Sequence, residues 1–464
     1  MKINGEDTIV ALATAHGAAA IAVIRLSGPK AIQIVDTFFY SRTFKKKSLK
    51  NKTTATVNFG VIGHLNSAID EVLVSLFKSP TSYTGQDLVE VSCHGSPFIQ
   101  QQLLQLFLDS GARMAEPGEF TMRAFLNGKF DLSQAEAVAD LIASNSSVSH
   151  QVAMQQMRGG FSNKIKLLRE HLLNFASLIE LELDFSEEDV EFANRSDLKR
   201  LIATILTVIN KLIQSFEIGN VIKNGIPVAI VGKPNAGKST LLNVLLEDEK
   251  AIVSEIPGTT RDAIEDEIIM GGILFRFIDT AGIRTTTDII EQIGVNKALE
   301  VMKKSAIIIY LFDAHTISSG DLKLEVELLK DYIGNSQLII VANKIDSEEI
   351  NDLKEEFINY PNIIYISAKE QTNIQELKSR LIELFDNRTI DVTDTIVTNA
   401  RHAHALKNAG SALQSVNDGI TKGLPGDLLA LDIRYALDEL GNITGEVTST
   451  DLLSNIFGRF CIGK

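Results

Sequence analysis

Apolar and polar positions change rhythm three times along the chain. Up to about residue 125, short apolar runs at Ile21 to Leu26, Val72 to Phe77 and Leu88 to Ser92 are separated by Gly, Pro and Ser turns, which reads as strands. A helix-like stretch, Phe98 to Leu108, joins them, so this part is a mixed α/β domain. From Leu132 the spacing becomes helical through Ser133 to Ile142, Ile165 to Leu183 and a long segment that Asp197 caps and that runs to about Asn220. Apolar strands at Ile226 to Val231, Gly271 to Ile278, Leu338 to Ala342 and Ile363 to Ile366 then alternate with helical patterns, an α/β module ending near Phe385. Helical spacing resumes at Ala400 to Val416, Asp427 to Leu440 and Glu446 to Phe457. Two helical stretches on either side of an α/β module predict that they pack together, with the module inserted between them.

The chemistry sits at the strand ends of that module. Gly232-Lys-Pro-Asn-Ala-Gly237-Lys238-Ser239 follows one strand and precedes the helical Thr240 to Leu246, the placement of a phosphate loop. Its glycines let successive N–H groups turn inward, Lys238 reaches the outer phosphates and the Ser239 hydroxyl holds Mg²⁺. Asp279-Thr280-Ala281-Gly282 closes the second strand with an acid near the metal and a glycine N–H for the last phosphate. Between the two lies Gly258-Thr-Thr-Arg-Asp262, a switch segment. Asn343-Lys344-Ile-Asp346 offers a carboxylate that accepts from both N1–H and the 2-amino group of guanine, donors that adenine lacks. Ser367-Ala368-Lys369 supplies a backbone N–H for the guanine carbonyl. The order of five motifs resembles the G1 to G5 elements of GTPases.

Ile283 occupies the position where many small GTPases carry the glutamine that orients the attacking water. Water positioning and positive charge must then come from elsewhere, and Glu291 and a monovalent cation beside Asn235 are the candidates. On residue chemistry alone Glu291 also fits a solvated acid at a helix start, and Asn235 an ordinary turn residue. Both alternatives stay open at this level.

Length and composition narrow the setting. With 464 residues, there is room for roughly three domains, so one GTPase module accounts for only the centre. No apolar run is uninterrupted over a bilayer's thickness, and the first residues carry acids where a signal peptide has bases, so a cytoplasmic chain with no membrane span is expected. Two cysteines, Cys93 and Cys461, make neither a disulfide framework nor a zinc cluster. The end Cys461-Ile-Gly-Lys464 has the length of a prenylation box but the wrong residues for one. A net charge of −14 argues against a broad electrostatic footprint for RNA, so any RNA contact must be local or shared. The one basic run, Arg42 with Lys45, Lys46, Lys47, Lys50 and Lys52, reads more simply as a solvated loop.

With these pieces placed, the whole chain resembles the tRNA modification GTPases of the MnmE (TrmE) family. The likeness rests on Gly118 to Asn127, Leu132 to Ala137, Gly258 to Asp262, Thr444-Gly-Glu446 and the terminal Cys461-Ile-Gly-Lys464. It implies a multidomain α/β protein: an N-terminal mixed α/β domain (1–125) that binds folate and dimerises, a discontinuous all-α helical domain (126–224 plus 387–464), and an inserted Ras-like P-loop GTPase domain (225–386). Carried over by position, nucleotide contacts come from Asn235, Ala236, Gly237, Lys238, Ser239, Thr240, Ser254, Thr259, Thr260, Asp279, Thr280, Ala281, Gly282, Asn343, Lys344, Asp346, Ser367, Ala368 and Lys369. Ser239 and Thr260 hold Mg²⁺. Asn235 holds K⁺ with Thr259 and the carbonyls of Ser254 and Ile256, and family members commonly have threonine where Ser254 stands. Glu291 and Arg284 are the catalytic residues, Glu291 orienting the water. Arg25, Glu90, Lys129 and Lys464 contact a 5-formyltetrahydrofolate or a related folate, with Cys461 close by in a chemical or structural role.

The resemblance implies GTP, Mg²⁺ and K⁺ as cofactors beside the folate. Its implied partners are a second copy of the chain, the flavoprotein MnmG in a heterotetramer, and tRNA. The implied activity installs an aminomethyl or carboxymethylaminomethyl group at C5 of a wobble uridine. The competing readings are a ribosome-assembly GTPase, which shares the asparagine-bearing phosphate loop, and a switch that turns over only with an external activator.

Overall fold

The computed structural model describes residues 6–65, 67–184, 195–247, 266–278, 301–303, 305–334, 336–345, 350–360, 362–386 and 395–463. The chain divides into two compact units. One comprises Met1–Ile142, Met154–Ile209 and His404–Lys464; the other comprises Ala143–Ala153 and Asn210–Ala403.

The first unit is built on a seven-stranded sheet in the order β3-β4-β5-β6-β2-β1-β7. Its strands are β1 (Ile9–Leu12), β2 (Ile21–Ser27), β3 (Phe39–Tyr40), β4 (Thr56–His64), β5 (Ser67–Phe77), β6 (Leu88–His94) and β7 (Arg113–Met114). All pairings are antiparallel except β1 with β7. The alternation Ala22, Ile24, Leu26 on β2 and Val89, Val91, Cys93 on β6 turns one face into a core covered by the helices Ala31–Phe38 and Pro97–Asp109. The same unit holds long helices at Gly160–Asp184 and Gly426–Thr444, which pack on each other.

The second unit carries a six-stranded sheet in the order β13-β12-β11-β8-β10-β9. Here β8 is Ile226–Val231, β9 Asp266–Met270, β10 Ile273–Phe277, β11 Ile307–Asp313, β12 Gln337–Asn343 and β13 Ile364–Tyr365. Only the β9–β10 pair is antiparallel. Central β11 is buried along nearly its whole length, the continuous apolar run of a parallel strand covered on both faces. The chain winds to opposite sides after β8, which makes the carboxyl end of β8 the crevice where such sheets bind ligands.

Several expected boundaries move. The strand expected from Gly271 begins at Ile273, because Gly271 and Gly272 take φ of 58° and 77° and form the β9–β10 turn. The helix expected from Glu446 begins at Thr450, where the Ser449 hydroxyl accepts from Leu452 N–H at 3.2 Å. The long helix spans Arg195–Asn224, and by length and mean hydropathy (1.5) it passes for a membrane span. Scattered polar residues interrupt its apolar runs in the sequence. Its buried residues Leu198, Ile202, Ile205, Ile209 and Leu212 recur every three or four positions, the stripe of a helix packed on a core.

Candidate functional site

Between β8 and the helix Lys238–Glu247 the backbone curls as a phosphate cradle must. Gly232, Asn235 and Gly237 have φ of 153°, 62° and 98°. A Cβ on Gly232 would lie 2.0 Å from the Leu311 carbonyl oxygen, and one on Gly237 would lie 2.2 Å from Asn343 Nδ2, so neighbouring chain closes the cradle from behind. Lys238 Nζ donates to the carbonyls of Gly232 at 2.6 Å and Lys233 at 2.8 Å, spanning the loop's mouth. Burial pushes its ammonium below the usual lysine range, and an anion in the cradle would relieve that. Ser239 is half-buried at the helix start, while Thr240 and Asn235 are exposed. Left-handed turns at Asn235 and Gly237, one lysine and a helix N-terminus fit the phosphates of a nucleotide.

Asn343 links the loops. Two per cent exposed at the end of β12, it donates from Nδ2 to the Ala236 carbonyl at 2.7 Å and accepts at Oδ1 from Ala368 N–H at 2.9 Å. The first, fourth and fifth motifs are thus joined by one carboxamide. Lys344, in a left-handed conformation (φ 71°), pairs with Asp313 at 2.7 Å rather than reaching the cradle. Burial works to raise the Asp313 carboxyl, but hydrogen bonds from Lys344 and His315 N–H reverse this and hold it below the usual range. Ser367 is interior and accepts from Glu370 N–H, whereas the Lys369 side chain is in solvent near Glu370. Lys233 pairs with Glu325, which also accepts from the Tyr310 hydroxyl. Sequence reasoning passed over that tether.

The remaining expected nucleotide, metal and catalytic residues lie outside the described residues: Ser254, Ile256, Thr259, Thr260, Asp279, Thr280, Ala281, Gly282, Arg284, Glu291 and Asp346. Lys464 does as well.

A second charged site lies in the first unit. Arg25 and Glu90 face each other in the β2–β6 register, with Arg25 Nη2 2.8 Å from Glu90 Oε1. The Arg25 guanidinium is 5.6 Å from the ring centres of both Tyr83 and Phe120. It also donates to the Gly463 carbonyl at 3.2 Å, so the chain's end is drawn to this strand pair. Lys129 is exposed nearby, its Cε 3.4 Å from where a Cβ on Gly85 would stand, and neighbouring Phe130 meets the Tyr83 ring at 5.7 Å. The Cys461 carbonyl accepts from Gly118 N–H at 3.3 Å and its thiol side is exposed. A carboxylate, a guanidinium and the Tyr83 ring, all partly open above the buried Phe120 ring, suit a flat polar ring with an acidic tail.

Beneath it is a buried network that the sequence did not announce. Arg123 and Glu119, 3% and 4% exposed, pair at 2.9 Å, and Asp7 bridges Arg123 at 2.5 Å and Arg113 at 2.8 Å. Arg123 also donates to Gln86 at 3.0 Å. Burial alone would raise Asp7 and Glu119, yet the arginine hydrogen bonds hold both below their ordinary values. The available signal covered only Glu119 and Arg123, four residues apart on one helix.

Sheet order, cradle and the Asn343 link define a P-loop nucleotide-binding module, in a chain that also holds a mixed α/β domain. The family model "MnmE helical domain" matches residues 132–461, and "GTP-binding protein TrmE N-terminus" matches residues 8–129. Curated relatives named tRNA modification GTPase MnmE extend end to end. The protein of Christiangramia forsetii is 54% identical over 100% of both chains, and that of Cytophaga hutchinsonii 56% identical over 99% of this chain and 98% of its own. Among solved structures, the FeoB G-domain from Methanococcus jannaschii matches 34% of this chain and 96% of its own at 24% identity, with a TM-score of 0.25. The chain belongs to the MnmE (TrmE) family.

Proposed function

We propose that this chain is a K⁺-activated, dimerisation-dependent GTPase. In this reading it acts with a flavoprotein of the MnmG kind to install (carboxymethyl)aminomethyl at C5 of the wobble uridine of certain tRNAs. The observation that supports it best is the coexistence of two chemically distinct sites in one chain: the phosphate cradle tied by Asn343 and the aromatic-flanked Arg25–Glu90 pair that holds the chain's end. The relatives' name supplies the tRNA modification.

The division proposed is 1–125 for folate binding and dimerisation, 126–224 with 387–464 for the helical domain, and 225–386 for the GTPase. Gly237 and Lys238 bind the outer phosphates, Ser239 and Thr260 hold Mg²⁺, and Asp346 reads guanine. Asn235 presents its side chain outward from a left-handed turn, free to hold K⁺ with Thr259 and the carbonyls of Ser254 and Ile256. Bound there, the cation supplies the positive charge that an arginine finger supplies elsewhere. Glu291 orients the attacking water and Arg284 assists. Arg25, Glu90, Lys129 and Lys464 bind the folate that provides the one-carbon unit. GTP turnover drives a conformational cycle rather than joining the bond chemistry.

Two measurements test this. Equal, slow GTP hydrolysis in K⁺ and Na⁺ would rule out cation activation. Unaltered wobble uridines in cells lacking the protein would rule out the tRNA role.

A further inference from the structure

The basic run between residues 42 and 52 is organised rather than loose. Lys46 Nζ donates to the carbonyls of Asp36 and, at 2.7 Å, Thr37. Lys47 Nζ donates to the Phe59 carbonyl at 2.7 Å, and Lys78 Nζ to that of Lys50 at 3.0 Å. A carbonyl contact fixes an ammonium without cancelling its charge. Nearby acids do little to neutralise the surface: Glu71 answers Arg42 at 3.0 Å, and Asp36 is buried, accepting from Leu49 N–H. Lys45, Lys50 and Lys52 are exposed and make no ion pair among the described residues. Aromatic rings sit among the cations, Tyr40 at 4.8 Å from Lys46 Nζ and Phe59, 44% exposed, at 5.6 Å from the Arg42 guanidinium.

On a chain of net charge −14 this is a local inversion of sign at the β3–β4 edge of the sheet. The contacts of Lys46, Lys47 and Lys78 hold the loop in place, and the exposed cations Lys45, Lys50 and Lys52 spaced along it suit a phosphate backbone. An exposed ring beside them suits an unstacked base, the usual way proteins grip single-stranded parts of RNA. We propose that this surface binds tRNA, Lys45, Lys50 and Lys52 contacting phosphates and Phe59 stacking on a base. The proposal rests on the tRNA reading above and adds to it where the RNA is held.

The test uses the full chain and a fluorescent transcript of a tRNA with uridine at the wobble position, titrated by anisotropy across a salt series. The combined variant Lys45→Gln, Lys50→Gln, Lys52→Gln is expected to lose about tenfold or more in affinity. Its plot of log affinity against log salt should be shallower by about 3. GTP turnover and melting temperature should stay as in the native chain. Phe59→Ala should weaken binding without changing the salt slope. Native affinity and slope in the lysine variant overturn the proposal, as does lysine-dependent binding to phosphatidylserine vesicles with tRNA binding unaffected. If wobble uridines prove unaltered in cells lacking the protein while lysine-dependent tRNA binding persists, the modification reading fails and the RNA surface stands.

Discussion

Asn343 Nδ2 donates to the carbonyl oxygen of Ala236 at 2.7 Å. The same side chain receives Ala368 N–H, so a residue expected to serve guanine also braces the phosphate loop. The loop expected to hold phosphate and the strand end expected to read the base therefore share a mechanical support.

Replacing Asn343 with Ala leaves a buried carbonyl and a buried N–H without their partner. Each such group costs about 1–3 kcal/mol. The variant should melt earlier, and its GDP affinity should fall by at least about tenfold, since 1.4 kcal/mol is one decade. Fluorescent GDP titration together with thermal unfolding checks this. Native GDP affinity in Asn343→Ala would show that the brace is idle.

Acid should loosen the first unit through the network under Arg25. Asp7 and Glu119 are held below their ordinary values in the folded chain. Their contribution to stability is therefore complete above the unfolded carboxylate range, near pH 4, and is lost as pH falls through the lowered folded values. Asp7→Asn should flatten the dependence of melting temperature on pH below about 4.5. The chain has no tryptophan, so circular dichroism is the suitable probe. An identical acid profile in the variant would remove Asp7 from the account.

The two cysteines should report as one fast and one silent thiol. Burial, helped by the nearby Asp70 charge, pushes the Cys93 thiol up to about 11, whereas Cys461 is exposed. Since the thiolate is the reactive form, a thiol reagent at pH 8 should label one group promptly and the second only on unfolding. Two fast thiols would mean that the β2–β6 core opens in the native state.

What the sequence made legible follows from how local each signal is. The phosphate loop could be read because Gly232 and Gly237 act through backbone shape and Lys238 through its side chain within one short stretch, which spacing records. The inserted arrangement was legible from the switch in periodicity. The brace by Asn343 was not, because its partners Ala236 and Ala368 are apolar residues contributing only backbone groups, and those leave no mark in a residue pattern. The Asp7–Arg123 pair spans more than a hundred residues, and nothing at either end names the other. The short strands Ile9–Leu12 and Arg113–Met114 escaped notice since their pairing is long-range and their length is below what alternation can reveal.

The chain's end offers the sharpest test of the Arg25 site. Gly463 has φ of 95°, and a Cβ there would lie 2.2 Å from the Leu12 carbonyl, so alanine must pull the tail away from β1. That removes the carbonyl that Arg25 holds at 3.2 Å while leaving the Arg25–Glu90 pair in place. Gly463→Ala and Arg25→Ala should both weaken 5-formyltetrahydrofolate by about tenfold or more, by different routes. The glycine variant loses the tail, and the arginine variant loses the cation as well. Glu90→Gln should keep the tail docked, because Arg25 Nη1 and not Nε reaches Gly463, and should cost affinity only through the carboxylate. Calorimetry with the three variants separates these contributions. If Gly463→Ala binds folate as the native chain does, the docked end is a structural closure of the first unit and no part of its ligand site.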